Sequence, residues 1–516
     1  MKFLKASATV GFLTFLSRIV GFIRDILMAA VLGSGVLADI FFVALRFPNL
    51  FRAILAEGAF SVAFIPLYTS IDEKEGRKRA LDYASKVFSV LSITLVLICA
   101  LAMIAMPLLL FLIAPGFYDD PVKLAQAIEL TRITFPYLFF MSLVAMIGGM
   151  LNAHDYYAPF AAAPILFNLS FIVTLIFFPD FAQTSAHSLS WTILIAGLLQ
   201  LLFVMMFAFK YKLNLSFKLP RIDKDVKELL GKMGPAVVAS GAAQISLLFN
   251  TILASFFPVG AVSYIYYSDR LAHLPIGIIG IAVGTALLPM LTRAVTSKDI
   301  QKGGQLFTQA LFFALLLALP AAVALIVSGQ SIISVLFERG EFTRLATIET
   351  GRILSAYAWG MPAIVIWVVY TRLFFAKKDT KTPMVISLKT TVYDVVFSVV
   401  LAYFYGVVGI AWGTSIAAWI RVLMFYLASR DLVYAKLTSG FIKRSTFLGA
   451  SVILMALFLW GFETYVESYL YSGDLFQEIA ALTGLVFGGM LVYAIGLSVT
   501  KAIRLSDLKR IAQIAE

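Results

Sequence analysis

Residues 87–113 read VFSVLSITLVLICALAMIAMPLLLFLI, a run without one charged side chain. A hydrocarbon core about 30 Å thick is crossed by a helix of about 20 apolar residues, so this stretch alone is long enough to span a bilayer. Similar runs recur from end to end of the 516-residue chain, which is 61% hydrophobic and only 14% charged. A soluble domain carries about 25% charged residues. The short alternating segments that build a membrane barrel are missing, and in lipid a helix satisfies its backbone amides within the segment. The fold class is therefore an all-α polytopic membrane protein.

Working outward from that run, apolar stretches predict fourteen spans, at 8–33, 36–69, 87–113, 127–152, 159–179, 189–209, 229–256, 261–292, 304–328, 351–376, 384–405, 408–429, 445–462 and 478–500. The second and eighth are too long for a straight crossing and contain Pro48 and Pro275, so kinks or extension beyond the core are expected. Lys2 and Lys5 precede apolar residues as in a signal peptide, but Arg18 and Arg24 interrupt the run, and the first span is read as retained. Most of the 41 Lys and Arg fall in loops on one side of this map, while the other side receives Lys123, Arg339 and Arg344. The positive-inside rule then places both termini in the cytoplasm. The net charge of +12 follows from that bias and calls for no nucleic acid. The single Cys99 can form neither an intrachain disulfide nor a metal cluster.

An internal repeat organises the spans. AFIPLYT at 63–69 returns as ALLPMLT at 286–292; Ile26-Leu27 returns as Ile252-Leu253, Pro48 as Pro275, Pro136 as Pro362 and Pro159 as Pro383. The offset stays near roughly 225 residues, which marks a duplication rather than chance. Two six-helix lobes are expected, 1–225 and 226–440, followed by a two-helix appendix in 441–516. An even number of spans gives both lobes the same orientation, an arrangement that places a central cavity between lobes and lets rocking alternate its access.

Charges inside spans cost roughly 2.5–3.5 kcal/mol each even on a lenient insertion scale, so they normally face a cavity or a partner. The first span holds Arg18, Arg24 and Asp25; the second adds Asp39, Arg46, Asn49, Arg52 and Glu57; the eighth carries Asp269, Arg270 and His273. Internal salt bridges or snorkelling arginines are the plain alternative, strongest for Arg46 and Glu57 near segment ends. The five arginines nevertheless exceed Asp25, Asp39, Glu57 and Asp269 by one, and a cationic chamber selects an anion. A guanidinium fork suits phosphate oxygens, while Asp25, Glu57 and Asp269 are read as gate or orienting acids.

Two blocks within these spans carry a family signature. Arg24-Asp25, Gly33, Asp39, Phe41-Phe42, Pro48-Asn49, Arg52, Ala56-Glu57-Gly58-Ala59 and Ala63-Phe64-Ile65-Pro66 form the first; Asp269-Arg270-Leu271, Pro275, Gly277, Gly280, Ala282, Thr285 and Leu287-Leu288-Pro289 form the second. The chain resembles the MurJ/MviN lipid II flippase family. That resemblance implies the multidrug/oligosaccharidyl-lipid/polysaccharide exporter (MATE-like) fold, a bacterial inner (cytoplasmic) membrane, and lipid II, an undecaprenyl-pyrophosphate-linked peptidoglycan precursor, as substrate. It further implies that Arg18, Arg24, Asp39, Arg52 and Arg270 are needed for transport, and that proteins of peptidoglycan synthesis are partners. Arg46 departs from relatives that carry lysine there. The last two spans resemble a pair lining a groove for the prenyl tail, with Leu454, Leu457, Phe458, Leu485, Phe487 and Leu491 as apolar material.

No nucleotide-binding Gly-rich loop occurs, and His154, His187 and His273 are too scattered for a catalytic or metal motif. Oxygen groups on Asn250, Asp394, Ser398 and Thr414 suit a Na⁺ site; H⁺ coupling or the membrane potential are the alternative energy sources. Two related functions stay open: a flippase for another prenyl-pyrophosphate-linked oligosaccharide, and a multidrug/cation antiporter, which the arginine surplus disfavours. A non-transporting scaffold leaves the deep charges of the first span unexplained.

Overall fold

The computed structural model describes residues 2–438, 440–500 and 502, with side chains described except at 2–7, 55–57, 59, 238–239, 242–243 and 281–286. Among the described residues every regular element is a helix. The chain divides into two compact units, Met1–Ser263 with Arg339–Phe342, and Tyr264–Glu338 with Thr343–Glu516.

Unit 1 contains α1 (Lys2–Leu32), α2 (Val36–Phe51), a π-helical stretch Arg52–Phe60, α3 (Ser61–Glu75), α4 (Arg77–Ile104), α5 (Met106–Ile113), α6 (Pro121–Thr134), α7 (Tyr137–Ala153), α8 (Tyr157–Phe177), α9 (Ser185–Lys210) and α10 (Lys224–Ser255). It also takes the first residues of α11 (Ala261–Thr296), which continues into unit 2. Unit 2 adds α12 (Ile300–Val327), α13 (Gly329–Phe337), α14 (Arg344–Ala376), α15 (Lys381–Tyr405), α16 (Val407–Ser429), α17 (Phe441–Leu470) and α18 (Leu475–Val499).

Each predicted span falls on helix, with differences that trace to proline. Span 87–113 is broken at Ala105, just before Pro107, and span 127–152 is broken at Phe135-Pro136; proline lacks the N–H that would continue the ladder. The second span does not end at Pro48. It widens into the π turn and runs on to Glu75. Unbroken through Pro275 and Pro289, α11 at 1.5 Å per residue is about 54 Å long, well beyond a 30 Å core.

Among the described residues, ten helices are long and apolar enough to cross a membrane, counting Pro121–Ala153 as one. The predicted spans outside that set, 8–33, 36–69, 229–256 and 261–292, are the first two of each predicted lobe. The most enclosed span of each unit is also equivalent, fourth in its lobe: 78% of the apolar window of Pro121–Ala153 and 67% of that of Arg344–Ala376 are buried, against 17% for Leu475–Val499. These fourth spans are cores, whereas α18 presents itself to lipid.

Small residues set the close crossings, as expected where lipid removes the hydrophobic drive between helices. In unit 1, α1 lies along α8, where a Cβ on Gly21 would stand 3.2 Å from Asn168 Nδ2. In unit 2, Gly409 and Gly413 bring α16 onto the backbone of Leu401 and Ser398 in α15, and Gly488 and Gly489 admit Phe458 and Leu459 of α17 against α18. Ser331 Oγ bonds Glu463 and, at 3.0 Å, Tyr471 Oη, while Tyr493 Oη donates to Leu316 O at 2.7 Å, pinning this last hairpin to α13 and α12.

The link between α9 and α10 is a strap along α4. Ser216 N and Lys218 N donate to Ser85 Oγ and Ser89 Oγ at 3.1 and 2.8 Å, Lys218 pairs with Asp82, and Lys86 Nζ reaches Asp223 Oδ2 at 2.9 Å. Burial raises the Asp223 carboxyl, but the Lys86 and Val226 N–H hydrogen bonds outweigh it and hold the group below the usual carboxylate range.

Candidate functional site

Arg24 is fixed by three elements of its surroundings. Its Nε and Nη2 donate to Asp25 Oδ1 at 3.1 and 2.7 Å, and Nη1 donates to Asn168 Oδ1 at 2.9 Å. The guanidinium also lies 5.7 and 5.6 Å from the ring centroids of Phe167 and Phe171 on α8. Asn168 Nδ2 in turn donates to Ser17 O at 3.0 Å, so the cation, its carboxylate and the α1 backbone form one network. Both charges are buried, Arg24 at 7% and Asp25 at 4% exposure. Burying the pair is tolerable because its polar atoms find partners; removing one member would strand the other.

Asp39, 1% exposed, closes a different contact. Oδ2 accepts Gly260 N–H at 2.8 Å, and Oδ1 accepts Ser263 N–H at 2.9 Å and Ser263 Oγ–H at 2.6 Å. These amides open α11, where orphan N–H groups and the helix dipole favour a carboxylate. Gly260 permits the entry, with φ at +100°. Lys123 Nζ stands 3.9 Å from Asp39 Oδ2 and 3.9 Å from the Phe117 ring centroid. Asp39 is thus placed as a cap with a buried counter-ion.

The second span brings its other polar groups toward α10. Arg46 Nε donates to Thr251 Oγ1 at 3.0 Å, Asn49 Nδ2 to Leu45 O at 3.0 Å, and Arg52 Nε to Asn49 Oδ1 at 3.3 Å. The π turn starts at Arg52; such wide turns collect at functional sites. Within it, a Cβ on Gly58 would collide with Ser240 Oγ of α10 and come 2.8 Å from Ala53 O. The side chain of Glu57 lies outside the described residues. Arg18, half-buried in α1, makes no hydrogen bond or ion pair among the described residues.

In unit 2 the charges of α11 are more open. Arg270 is exposed, donates from Nε and Nη2 to Tyr266 Oη at 3.3 Å, and stacks 5.2 Å from that ring. His273 Nδ1 is 3.1 Å from Asp269 Oδ1, one turn away. Among the predicted cation ligands, Asp394 and Ser398 meet, Ser398 Oγ donating to Asp394 Oδ1 at 3.4 Å, and Gly413, next to Thr414, packs on Ser398. Asn250 belongs to unit 1. Arg421 lies within electrostatic reach of Asp394, held by Thr390 Oγ1 at 2.7 Å and the Trp367 ring at 4.0 Å. Among the described residues no group of three or more His, Cys, Asp and Glu could hold a metal ion.

Of the predicted tail-groove residues, Leu454, Leu457, Phe487 and Leu491 are exposed, whereas Leu485 is fully buried and Phe458 packs against the same hairpin core. Sequence reasoning passes over Asn168 and Thr251, and takes Arg421, a charge near a helix end without a cluster around it, as snorkelling or structural. Lys123 carries a signal only as one of the few cations on its side of the charge map.

Comparison with known proteins agrees across the chain's length. The family model for lipid II flippase MurJ matches residues 28–480. The probable lipid II flippase MurJ of Rickettsia prowazekii (strain Madrid E) is 36% identical over 495 residues, covering 96% of this chain and 97% of that protein. A solved structure of lipid II flippase MurJ in an inward closed conformation superposes with a TM-score of 0.78 at 25% identity, covering 95% of this chain and 98% of its own. An inward-facing MATE family multidrug resistance transporter of the MOP superfamily shares the fold alone, with a TM-score of 0.67 at 16% identity over 81% of this chain and 95% of its own.

Proposed function

The chain belongs to the MurJ family of lipid II flippases, and from that membership we propose how it handles its substrate. It is a multi-pass membrane transporter, not an enzyme, and lipid II is its cargo. The pyrophosphate headgroup crosses by alternating access through a cationic chamber, the lobes 1–225 and 226–440 moving to open it to one side and then the other. Arg18, Arg46, Arg52 and Arg270 are its ligands, with Asn49 beside Arg52. The observation that carries this assignment is Arg18, half-buried in a span with no hydrogen bond or ion pair among the described residues; a guanidinium fork with open donors suits the oxygens of a doubly charged pyrophosphate. Arg24, Asp25 and Asp39 hold the frame, while Asp269 and Glu57 orient or gate.

The prenyl tail stays in lipid against the exposed Leu454, Leu457, Phe487 and Leu491 of α17 and α18; drawing it through water would forfeit roughly 0.8 kcal/mol per CH₂. The basic loops lie in the cytoplasm of a bacterial inner membrane, with both termini on that side, next to enzymes that make lipid II; enzymes that consume it work at the other face. An inside-negative potential favours outward movement of an anion by about 2.3 kcal/mol per charge per 100 mV. We propose it, rather than Na⁺ or H⁺, as the energy source, because Arg421 balances Asp394 where a cation would have to bind.

The test is replacement of the resident flippase in a depleted bacterium, with lipid II translocation as the readout. Arg18→Ala, Arg52→Ala and Arg270→Ala are expected to reach normal membrane levels and fail to support growth. Growth of these variants at low expression would sink the chamber assignment.

A further inference from the structure

At the end of α9 remote from the strap, unit 1 carries a pocket of about 500 Å³ lined by Ile128, Glu129, Arg132, Gln183, His187 and Trp191, among others. Small-ligand sites occupy roughly 300–1,000 Å³ and combine apolar walls with a few convergent polar groups. None of these residues takes part in the chamber assigned above.

His187 is the informative member. It sits in the first turn of α9, 4% exposed. Thr184 Oγ1 accepts the His187 backbone N–H at 3.3 Å and lies 2.8 Å from Nδ1. With the hydroxyl proton donated to Nδ1, Nε2 keeps its hydrogen. That buried nitrogen has no hydrogen-bond partner among the described residues, and Glu129 Oε1 stands 3.6 Å away. A buried donor without an acceptor is costly, and its usual resolution is a ligand or water. Arg132 is exposed, with Nε anchored on Met103 O at 2.9 Å, so its fork is fixed at the rim. Glu129 is half exposed beside it.

The surroundings say where the ligand comes from. Trp191 is exposed on a membrane-spanning helix, near the end where the headgroups lie, the level at which tryptophan collects. Below it, Ile195, Leu198, Leu199 and Leu202 are exposed at helical spacing along α9. They form an apolar track leading away from the pocket into the core.

We propose that this pocket binds a phospholipid headgroup that carries both a phosphodiester and a primary ammonium. Arg132 and the His187 Nε2–H take the phosphodiester, Glu129 takes the ammonium, and the acyl chains lie on the α9 track. Opposite charges three residues apart on α6 match a zwitterion better than a purely anionic lipid, whose phosphate Glu129 would repel.

The assignment is tested by binding, independently of transport. Delipidated full-length protein in detergent is titrated with phosphatidylethanolamine, phosphatidylglycerol and soluble glycerophosphoethanolamine, and retention is read by native mass spectrometry. The wild type is expected to retain phosphatidylethanolamine at about one tenth of the phosphatidylglycerol concentration, the factor a single charge-assisted contact supplies. Glu129→Gln should abolish that preference, and Arg132→Gln should weaken both lipids. Each variant is checked for an unchanged unfolding temperature, and both side chains are open enough for that to hold. An unaltered preference in Glu129→Gln overturns the proposal. Equal retention of glycerophosphoethanolamine overturns the lipid source and assigns the pocket to a soluble zwitterion.

Discussion

In α1 and α2, Arg24, Asp25 and Asp39 are buried and take partners within unit 1, on α8 and at the opening of α11. In α11 beyond that opening, Arg270 and His273 are exposed and bond within one turn of their own helix. By the repeat, α11 is the counterpart of α2. The same sequence signal, charge in a membrane span, therefore marks two physical situations. A buried charge with several partners fastens helices; an exposed cation is open to a ligand. Which one applies is decided by burial, not by the helix that carries the charge.

The sharpest test sets Asp39 against Arg270. Asp39→Ala deletes a carboxylate that accepts three hydrogen bonds and faces Lys123, and breaking a buried pair on one side costs about 3–5 kcal/mol. The expected outcome is a large fall in unfolding temperature and in membrane level, with transport lost as a consequence. Asp39→Asn keeps some acceptor capacity and should fall between. Arg270→Ala, on an exposed side chain, is expected to change stability by no more than about 0.5 kcal/mol while abolishing lipid II translocation. If Asp39→Ala unfolds at the wild-type temperature, the division between fastening and ligand-holding charges is wrong.

An intermediate effect is expected in the π turn. A methyl group at Gly58 meets Ser240 Oγ and the Ala53 carbonyl, and overpacking of that kind costs about 1–3 kcal/mol. Gly58→Ala should lower the unfolding temperature moderately and slow translocation, with Ser240→Ala in the same chain partly restoring both. Ser240 lies on α10, so failure of that rescue would show that contact with Ser240 is not what limits the Gly58→Ala variant.

These cases also show where the sequence was readable. Apolar runs located the helices because bilayer thickness imposes a length. Breaks at Ala105 and Phe135-Pro136 escaped because hydropathy stays high across them. The π turn escaped because no local spacing marks the widened ladder, and the close approach of Gly58 to Ser240 within it joins residues far apart in the chain. Charges in spans were visible as exceptional residues, but the cap made by Asp39 needs Gly260 and Ser263, and Arg24 needs the neutral Asn168. Neither pairing follows a local spacing rule. Leu485 and Leu454 look alike in sequence, yet Leu485 on α18 is inside the hairpin and Leu454 on α17 faces outward, because Gly488 and Gly489 receive Met455, Phe458 and Leu459 and so fix which faces of the two helices meet.

The smallest effect is expected at Asp394, which extends the comparison to α15. Asp394 is buried, like Asp39, with Ser398 Oγ as donor and Arg421 within electrostatic reach. A cation placed against this carboxylate would be repelled by the guanidinium, which Thr390 and the Trp367 face already hold in place. Asp394→Asn retains an oxygen for Ser398 and leaves Arg421 two supports. Replacing Na⁺ by choline should then leave translocation in proteoliposomes unchanged for both wild type and Asp394→Asn. Dissipating the membrane potential should slow both, since each charge moved outward loses a drive of about 2.3 kcal/mol per 100 mV. A Na⁺ requirement in the wild type that disappears in Asp394→Asn would instead make Asp394 an ion ligand, and would place α15 with the ligand-holding group rather than with the fastening one.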